Sequence, residues 1–387
     1  MRFPEFSGEW VTKSINDLAV VIGGGTPDTT VKSYWDGEIQ WFTPSEIGKN
    51  KYVDSSLRTI TEVGLNNSSA KLLPPNTILL SSRATIGECS LSLRECATNQ
   101  GFQCLVSKKC NVDFLYYLIQ TKKKDLIRKS CGSTFLEISA NEVRKIQVSV
   151  PSDVEQQKIA ELLSLIDERI ATQNKIIYKL KSLIRGIMVE LQKRGLSNGT
   201  WKKVLLSNVL TERNELNKSL YPVYSVSVIQ GIVNQMEYLG RSFAASDTSK
   251  YHVVHYGDLV YTKSPTGSFP YGIIKQSYNQ NEVAVSPLYG VYEPKTFSTG
   301  VFLHEYFKSE LNTLNYLHPL VQKGAKNTIN IANQRFLESY VAIPSNANEL
   351  LAISKLLCSL NTKLEFLQNI LKQSQGQKQY LLRQMFI

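Results

Sequence analysis

The side chains that most often carry out catalysis are few in this chain and stand apart from one another. Its four histidines are His252, His255, His304 and His318. His252 and His255 are three residues apart, but they lie in a β-branched stretch that predicts a strand, and no glutamate completes a zinc-hydrolase motif. The pair is therefore predicted to be structural or exposed on the surface rather than catalytic.

Other catalytic motifs are also missing from the sequence. Residues 23–27 are rich in glycine, but no Gly-Lys-Ser/Thr follows, so they do not form a phosphate-binding loop of a nucleotide-dependent enzyme. They are interpreted as a flexible turn or as backbone that DNA phosphates can approach closely. None of the six cysteines forms a Cys-x-x-Cys pair, so reduced thiols are expected and a zinc site is not. We predict no catalytic residue, no metal ligand and no enzyme activity.

The charge of the chain favours an anionic partner. The sequence has 44 Lys and Arg against 33 Asp and Glu, which gives a formal net charge of +11. Nucleic acid is the commonest anionic partner of a basic protein of this size. No run approaches the ~18 apolar residues of a membrane span, and the first residues lack a signal-peptide core. A cytoplasmic, DNA-binding protein is the expectation.

Basic and short polar residues in predicted loops are the candidates for contact with DNA. Residues 113–129 are predicted to form one helix, whose basic end either neutralises phosphates or stays solvated. Arg83 follows an apolar strand, and it either contacts a guanine with two hydrogen bonds or pairs with a buried acidic side chain. The predicted DNA-binding residues are Thr26, Arg83, Thr85, Lys122, Lys123, Lys124, Arg128, Lys129, Ser133, Thr134, Lys263, Thr266, Lys323, Lys326 and Asn327.

The elements that would position these residues occur twice, with a period of roughly 190 residues. Each copy opens with Gly-x-Trp, at Trp10 and at Trp201. Residues 76–83 of the first copy correspond to residues 257–264 of the second, and both predict a turn followed by a strand. The duplicated order predicts one scaffold built twice.

The interiors of the two copies differ much more than their ends. Residues 19–75 and 210–256 share almost nothing that can be aligned. A shared framework with different interiors favours two different recognition surfaces on one scaffold. The alternative is an old duplication that has drifted.

A long helix is predicted after each copy, over residues 152–196 and 345–387. Apolar residues recur there in alternating steps of four and three, which is typical of a coiled coil. Gln173 interrupts the first series, and Ser374 and Lys378 weaken the second. The matched lengths favour antiparallel pairing of the two helices with each other over a seam between two copies of the chain. The predicted helix-pairing residues are Ile159, Leu163, Ile166, Ile170, Ile177, Leu180, Ile184, Ile353, Leu357, Leu360, Leu364, Leu367 and Leu371.

These elements predict an α+β fold with a duplicated, pseudo-two-fold plan. Two globular mixed α/β recognition domains are expected, over residues 1–151 and 197–344. They are separated by a pair of long antiparallel helices, over residues 152–196 and 345–387, that act as spacers.

Several short motifs, in this order, resemble the specificity subunits of type I restriction–modification systems. The motifs are Gly24-Gly-Thr-Pro27, Tyr34-Trp35, Ile39-Gln-Trp-Phe42, Leu80-Ser-Ser-Arg-Ala-Thr-Ile-Gly87, Asn99-Gln-Gly101, Gly132-Ser-Thr-Phe135 and, after Pro151, Glu155-Gln-Gln-Lys-Ile-Ala160. The resemblance covers essentially the whole chain. The second copy departs from it at residues 348–353 and has no equivalent of Arg83.

The resemblance implies a function within a larger complex. Each recognition domain would read one half of a bipartite site in double-stranded DNA, and the paired helices would fix the gap and dock two modification (methyltransferase) subunits. Restriction (translocase and nuclease) subunits would join through these. S-adenosylmethionine, ATP and Mg²⁺ would be bound by the partner subunits and not by this chain. Such systems belong to the prokaryotic cytoplasm and have no membrane partner.

Two other classes of protein fit parts of the sequence. A DNA-binding regulator would bind its site tightly without methyltransferase subunits. A coiled-coil adaptor between proteins would have no salt-dependent affinity for DNA, and the charge of +11 argues against it.

Overall fold

The chain folds into two compact units. The computed structural model describes residues 2–132, 136–241, 244–323 and 329–386, except for the side chains of residues 323, 329 and 330. The first unit is Met1–Lys175 with Gln368–Ile387, and the second is Ile176–Leu367. The predicted DNA-binding residues outside the described part of the chain are Ser133, Thr134, Lys326 and Asn327, together with the side chain of Lys323.

The first unit contains three sheets in its described residues. Its strands are β1 (Val11–Ser14), β2 (Ala19–Gly23), β3 (Trp35–Phe42), β4 (Tyr52–Val53), β5 (Arg58–Ile60), β6 (Ile78–Leu80), β7 (Cys89–Ser92), β8 (Cys96–Thr98), β9 (Gln103–Ser107) and β10 (Gln147–Val150). The largest sheet has the order β2-β9-β6-β7-β4, a second has the order β5-β3-β8, and β1 pairs with β10. The short helices are α1 (Ile15–Leu18), α2 (Glu62–Asn66), α3 (Val112–Thr121), α4 (Lys123–Arg128) and α5 (Ala140–Arg144). The long helix α6 (Asp153–Ser197) begins in this unit and continues into the second.

The second unit is built in the same way. Its strands are β11 (Trp201–Leu205), β12 (Leu210–Glu212), β13 (Tyr224–Ser227), β14 (Gly231–Asn234), β15 (His252–Val254), β16 (Leu259–Tyr261), β17 (Ile274–Gln276), β18 (Val283–Val285), β19 (Gly290–Pro294), β20 (Gln322–Lys323), β21 (Ile329–Asn330) and β22 (Tyr340–Pro344). Its helices are α7 (Gln235–Leu239), α8 (Phe297–Tyr306), α9 (Glu310–Leu317), α10 (Asn333–Phe336) and the start of α11 (Ala347–Met385). The main sheet has the order β12-β19-β16-β17, and the pairs β11-β22, β13-β14, β15-β18 and β20-β21 accompany it.

The strand order β2-β9-β6-β7 of the first unit recurs as β12-β19-β16-β17 in the second. The turns before the central strands β6 and β16 also agree, because Asn76 and Gly257 both have a left-handed backbone, with φ of 63° and 93°. Asparagine and glycine tolerate this conformation better than other residues do. The repeated scaffold therefore includes β2 and β12, although the sequences around them do not align.

The two long helices pack against each other in antiparallel orientation. In the first unit, residues near the start of α6 share a core with the end of α11, and in the second unit the later part of α6 shares a core with the start of α11. The first set contains Ile159, Leu163, Ile166, Leu381, Leu382 and Met385, and the second contains Leu180, Ile184, Met188, Leu350, Ile353 and Leu357. The predicted fold class is confirmed: two mixed α/β units, each followed by a long helix that packs against the other. All predicted helix-pairing residues are buried or half-buried.

The tryptophan of each Gly-x-Trp motif attaches its unit to a long helix. Trp10 donates its indole N–H to Glu155 Oε1 (3.4 Å) near the start of α6, and Trp201 donates to Glu349 Oε1 (2.8 Å) near the start of α11. Each ring also meets a phenylalanine edge to face, with centroids 6.3 Å apart at Phe114. In the second unit the equivalent centroid distance is 5.3 Å. The sequence analysis named Glu155 in a motif, but it predicted neither tryptophan–glutamate contact.

The prediction of a single helix over residues 113–129 was wrong. The backbone leaves helical geometry at Lys122 (φ −91°, ψ 7°), which separates α3 from α4. Helix α4 then buries Leu126 completely in the core of the first unit. A local periodicity cannot report this break, because the buried position of Leu126 depends on residues distant in the sequence.

The polar residue that weakens the second heptad series forms a buried network in the first unit. Lys378 pairs with Asp167 (2.7 Å), and each side chain is 15% exposed. Tyr117 donates its hydroxyl to Asp167 Oδ2 (2.7 Å), and Lys51 donates to Ser164 Oγ (2.7 Å) on the same helix. The network connects α3 and the segment before β4 to α6 and α11, so it holds the sheets of this unit against the helix pair.

The second unit has a different network at the corresponding place. Asn361 of α11 donates to Glu305 Oε1 (2.8 Å), and Lys308 donates to Asn361 Oδ1 (3.3 Å). His304 beside them is buried, and its Nδ1 accepts a hydrogen bond from the backbone N–H of Gln276 (2.8 Å). Acceptance of this bond requires an unprotonated Nδ1.

Acid is expected to destabilise the second unit through His304. Burial, with the nearby charges of Lys308 and Lys275, holds the pKa of His304 well below its usual value. Below pH about 6.5 the unfolded chain binds a proton at this position that the folded chain does not, so stability is present above that pH and is lost below it, by up to about 1.4 kcal/mol per pH unit. Urea titrations at pH about 7.5 and about 5 should show that His304→Asn reduces this loss. The exposed His318→Asn serves as the control, and equal losses in both variants would contradict the prediction.

Candidate nucleic-acid interface

Three loops of the first unit meet at one edge of its main sheet. Gly23 at the end of β2 pairs with Gln103 at the start of β9, and Ser81 after β6 bridges Phe102. Residues 24–27, 81–88 and 99–102 are therefore neighbours, and we call them the first edge. Thr26 hydrogen-bonds Gln100 within it (2.5 Å). The structure thus brings together three of the short motifs singled out in the sequence.

The glycines of residues 23–27 have a packing role. A Cβ atom on Gly24 would collide with the backbone of Asn99, and one on Gly25 would collide with Ser69 and Ala70. The N–H of Gly25 also donates to Thr98 O (2.8 Å). The segment is therefore a close backbone contact inside the first unit rather than a flexible turn.

Arg83 lies on the first edge and is half-exposed. Its guanidinium Nε is 2.9 Å from Glu137 Oε1, whose side chain is 37% exposed, so the arginine pairs with an accessible acid and not a buried one. The next residue, Ala84, has φ of 53°, which is uncommon for a residue with a Cβ. Thr85 donates its hydroxyl to Ser81 Oγ (3.1 Å). The tight turn holds Arg83 at the surface, where its backbone bridges Glu137.

Helix α4 brings its basic residues beside the first edge. Lys123 packs its side-chain stem against Gly87 and forms an ion pair with Glu88. Two other predicted contacts are also paired, Arg128 with Asp125 (2.9 Å) and Lys129 with Glu142 (3.7 Å). Lys122 and Lys124 form no ion pair within the described part of the chain, so their ammonium groups are available to an anionic ligand.

The second unit has loops at the equivalent edge of its main sheet. Tyr261 at the end of β16 pairs with Gly290 at the start of β19, so residues 262–273 and 286–289 meet there as the second edge. Lys263 and Thr266 lie in the first of these loops. Burial lowers the pKa of the Lys263 ammonium, while Thr266 closes a short turn by exchanging backbone hydrogen bonds with Phe269 (3.0 Å).

Two basic residues with defined partners were missed in the sequence. Arg58 lies at the same end of its unit as the first edge, whereas the partners of Arg213 lie at the end of the main sheet opposite the second edge. The guanidinium carbon of Arg58, at the start of β5, lies 3.5 Å above the ring centroid of Trp35. Arg213, after β12, donates to the buried Asp258 (2.8 Å) and approaches Glu293 (3.1 Å). The interleaved aromatic and basic residues around Arg58 were a signal for it in the sequence. Arg213 could not be found in this way, because its partners are distant in the sequence.

The histidine pair of the second unit has ordinary partners. His252 donates from Nδ1 to Tyr289 O (3.1 Å), and His255 Nε2 lies 2.7 Å from Glu215 Oε2. Among the residues that the structure describes, no three histidine, cysteine or acidic side chains are grouped as a metal site requires. No described helix is long and apolar enough to cross a membrane.

Comparison with known protein families identifies the family to which the first repeat of the scaffold is similar. Residues 7–182 match the family described as the type I restriction modification DNA specificity domain. Residues 7–182 therefore belong to this family of type I specificity domains. That family is non-catalytic, and it typically binds no cofactor.

Similar curated proteins are found in archaea and bacteria. The type I restriction enzyme MjaIX specificity subunit of Methanocaldococcus jannaschii is 39% identical over 180 residues, which are 44% of this chain and 42% of that protein. The EcoR124I/EcoR124II specificity subunit of Escherichia coli is 31% identical over 175 residues, or 43% of each chain. The chain therefore aligns with less than half the length of these relatives.

A solved structure matches the fold over its full length. The type I restriction-modification S subunit from M. genitalium superimposes with a TM-score of 0.62 at 14% sequence identity, over 100% of this chain and 99% of that one. At this identity the likeness concerns the fold alone. It extends to the second unit, most of which lies beyond the residues matched by the specificity-domain family.

Proposed function

We propose that this specificity subunit reads a bipartite site in double-stranded DNA, with one half-site for each unit. The recognition domains are residues 1–151 and 197–344. The observation that carries the proposal is the repeated sheet order, with loops containing Arg83 and Lys263 at equivalent edges. Loops on one rigid scaffold can differ in sequence while keeping their position, which is what two unlike half-sites require.

The electrostatics of the chain support binding to a polyanion. The net charge of +11 would attract DNA, and unpaired Lys122 and Lys124 beside the first edge can each replace a counterion at a phosphate. Of the other predicted contacts, Thr26 and Thr85 offer hydroxyl groups at the same edge. Lys323 and its neighbours 326 and 327 are proposed as equivalent polar contacts of the second unit.

Arg83 is the residue we expect to read a base. An exposed ion pair contributes little to stability, so its guanidinium can exchange Glu137 for the O6 and N7 atoms of a guanine. Arg83→Gln should lose about 1–3 kcal/mol of discrimination at one base pair, measured by competition binding with single-base variants of the site. Arg94, an exposed arginine paired with Asp54 (2.7 Å) at the opposite end of the sheet, provides the matched control. An equal loss in Arg94→Gln would contradict this role.

The helix pair is proposed to set the gap between the half-sites and to dock two modification (methyltransferase) subunits. The 45-residue length of α6 supports this proposal, because a helix resists compression. Inserting one heptad into each helix should lengthen the unread gap and leave both half-sites unchanged. Methylation mapping checks this, and altered half-site bases would contradict it.

S-adenosylmethionine, ATP and Mg²⁺ are assigned to the partner subunits, including any restriction subunits.

The decisive experiment maps DNA methylation in cells that express the chain with its modification subunit. The proposal predicts one bipartite motif with a fixed gap, one half of which changes when residues 1–150 are exchanged for those of a relative. A stable complex that methylates nothing and binds no DNA would exclude DNA recognition and favour the adaptor class. Tight, specific binding by the chain alone, unaffected by the modification subunit, would favour the regulator.

A further inference from the structure

Two aliphatic side chains are almost fully exposed. Leu57 is 87% exposed and Ile229 is 84% exposed, more than any other large hydrophobic residue in the described part of the chain. Single exposed apolar residues are common on protein surfaces, so exposure alone assigns them no role. Their positions in the two units do indicate a role.

Leu57 lies at the same end of its unit as the first edge. Strand β3 runs parallel to β8, and Phe42 at its end is level with Thr98, immediately before the loop of residues 99–102. Strand β5 is antiparallel to β3, and Arg58 at its start is paired with Trp41. Leu57, which precedes β5, is therefore at the same end of the unit as the loops with Thr26 and Arg83.

Ile229 lies at the corresponding end of the second unit. Val223, just before β13, is level with Ala284 of the parallel strand β18. Because β18 ends at Val285, just before residues 286–289, β13 also runs toward the second edge. Ile229 occupies the turn at the end of β13. Both residues thus lie in a segment that does not align between the units, at the end where the proposed DNA-binding edge of their own unit lies.

The backbone of each exposed residue is held by a side-chain oxygen. The N–H of Leu57 donates to Glu46 Oε1 (2.6 Å), and the second carboxylate oxygen of Glu46 accepts from Thr43 N (2.7 Å). The N–H of Ile229 donates to Ser227 Oγ (3.3 Å), and Ser227 is 5% exposed. Each aliphatic group is therefore presented by a fixed turn, while its side chain contacts little of the protein.

We propose that Leu57 and Ile229 are apolar wedges that insert between adjacent base pairs, one in each half-site. The inference rests on the proposed function and names two residues that carry it out. Proteins that kink DNA insert Leu or Ile in this way, and the cost of unstacking depends on the base step, which gives sequence preference. Arg58, next to Leu57 and stacked on Trp35, is placed to contact a flanking phosphate. Both wedges lie in the segments that cannot be aligned between the units, as unlike half-sites would require.

The test uses the full chain in complex with its modification subunit and duplexes that carry the mapped site. Placing 2-aminopurine at each half-site position in turn, except at the methylated adenines that the modification subunit itself flips out, reports unstacking as a rise in fluorescence on binding. Leu57→Ala should abolish the rise in one half-site and Ile229→Ala in the other, each with about tenfold weaker binding. Leu57→Phe, which keeps a large apolar group, should retain the rise. Leu93→Ala is the matched control, because Leu93 is 51% exposed and follows β7 at the opposite end of the sheet.

The outcomes separate the wedge from the proposed function. Sequence-specific binding by the unsubstituted complex without any fluorescence rise, or a rise that persists in Leu57→Ala, would overturn the wedge and leave DNA recognition intact. Failure of the unsubstituted complex to bind the duplex would overturn the proposed function and the wedge with it.

Discussion

Replacing Leu357 with alanine is expected to lower the free energy of unfolding by about 2–5 kcal/mol. Leu357 of α11 is fully buried, and it belongs to the same core as Leu180 and Ile184 of α6. The substitution removes three carbon atoms from close-packed surroundings and leaves a cavity where two helices meet. Urea denaturation followed by circular dichroism measures the loss.

The neighbouring residue provides the control. Leu356 is 46% exposed on the same helix, so Leu356→Ala should change stability by less than about 0.5 kcal/mol. The same experiment distinguishes pairing within one chain from a seam between two copies. Intramolecular pairing gives a denaturation midpoint that does not depend on protein concentration, whereas a dimer seam makes the midpoint rise with concentration. Equal losses in the two variants would contradict the assigned burial.

Replacing Lys378 with methionine is expected to lower the free energy of unfolding by about 3 kcal/mol. This value is at the lower end of the range for breaking a buried ion pair, because both partners retain some exposure. The substitution leaves the carboxylate of Asp167 with the Tyr117 hydroxyl as its hydrogen-bond donor and without its balancing cation. The ammonium of Lys378 also lies 5.4 Å from the Tyr117 ring centroid, an attraction that methionine loses. Thermal or urea unfolding of the full chain measures the change.

Two further variants separate the effect of the charge of Lys378 from the effect of its packing. Lys372 is exposed on the same helix and has no ion pair among the described residues, so Lys372→Met should be close to neutral. Removing both charges with Asp167→Leu and Lys378→Met should recover much of the lost stability, because no unbalanced charge then remains in the core. A double variant no more stable than Lys378→Met alone would show that packing, and not charge, explains the loss.

The duplicated plan and the two long helices could be predicted from the sequence because their signals are local. An apolar residue at alternating steps of four and three predicts a helix with one buried seam whatever surrounds it. Repeated turn residues, such as those at Asn76 and Gly257, likewise predict the start of a strand. These signals were sufficient for the fold class.

Features that depend on distant residues were not predicted. The equivalence of β2 and β12 is visible only in the strand order, since their sequences do not align. The helix break at Lys122 and the pairing of Lys378 with Asp167 both depend on neighbours far along the chain. Lys378 looked like a defect in the heptad series because its partner could not be identified from sequence.

The candidate interface was predicted in part. The sequence pointed to Thr26, Arg83 and Lys263 one by one, and the strand registers then brought Thr26 and Arg83 to one edge. The sequence analysis missed Leu57, because an exposed leucine has no distinctive pattern. It also missed Arg58, although interleaved aromatic and basic residues were present there as a signal. Which DNA contact each residue makes stays a prediction.

The order in which the chain builds its two units has a consequence for its synthesis. The second unit is continuous from Ile176 to Leu367, whereas the first needs residues 368–387 to complete its core, including Phe386 beside Trp10 (6.3 Å). On the ribosome, the part made first therefore matures last, contrary to the usual order of domain folding. Until then its exposed apolar surface can accept helix α11 of a neighbouring nascent chain. Polysomes are thus the place where we expect domain-swapped dimers to arise.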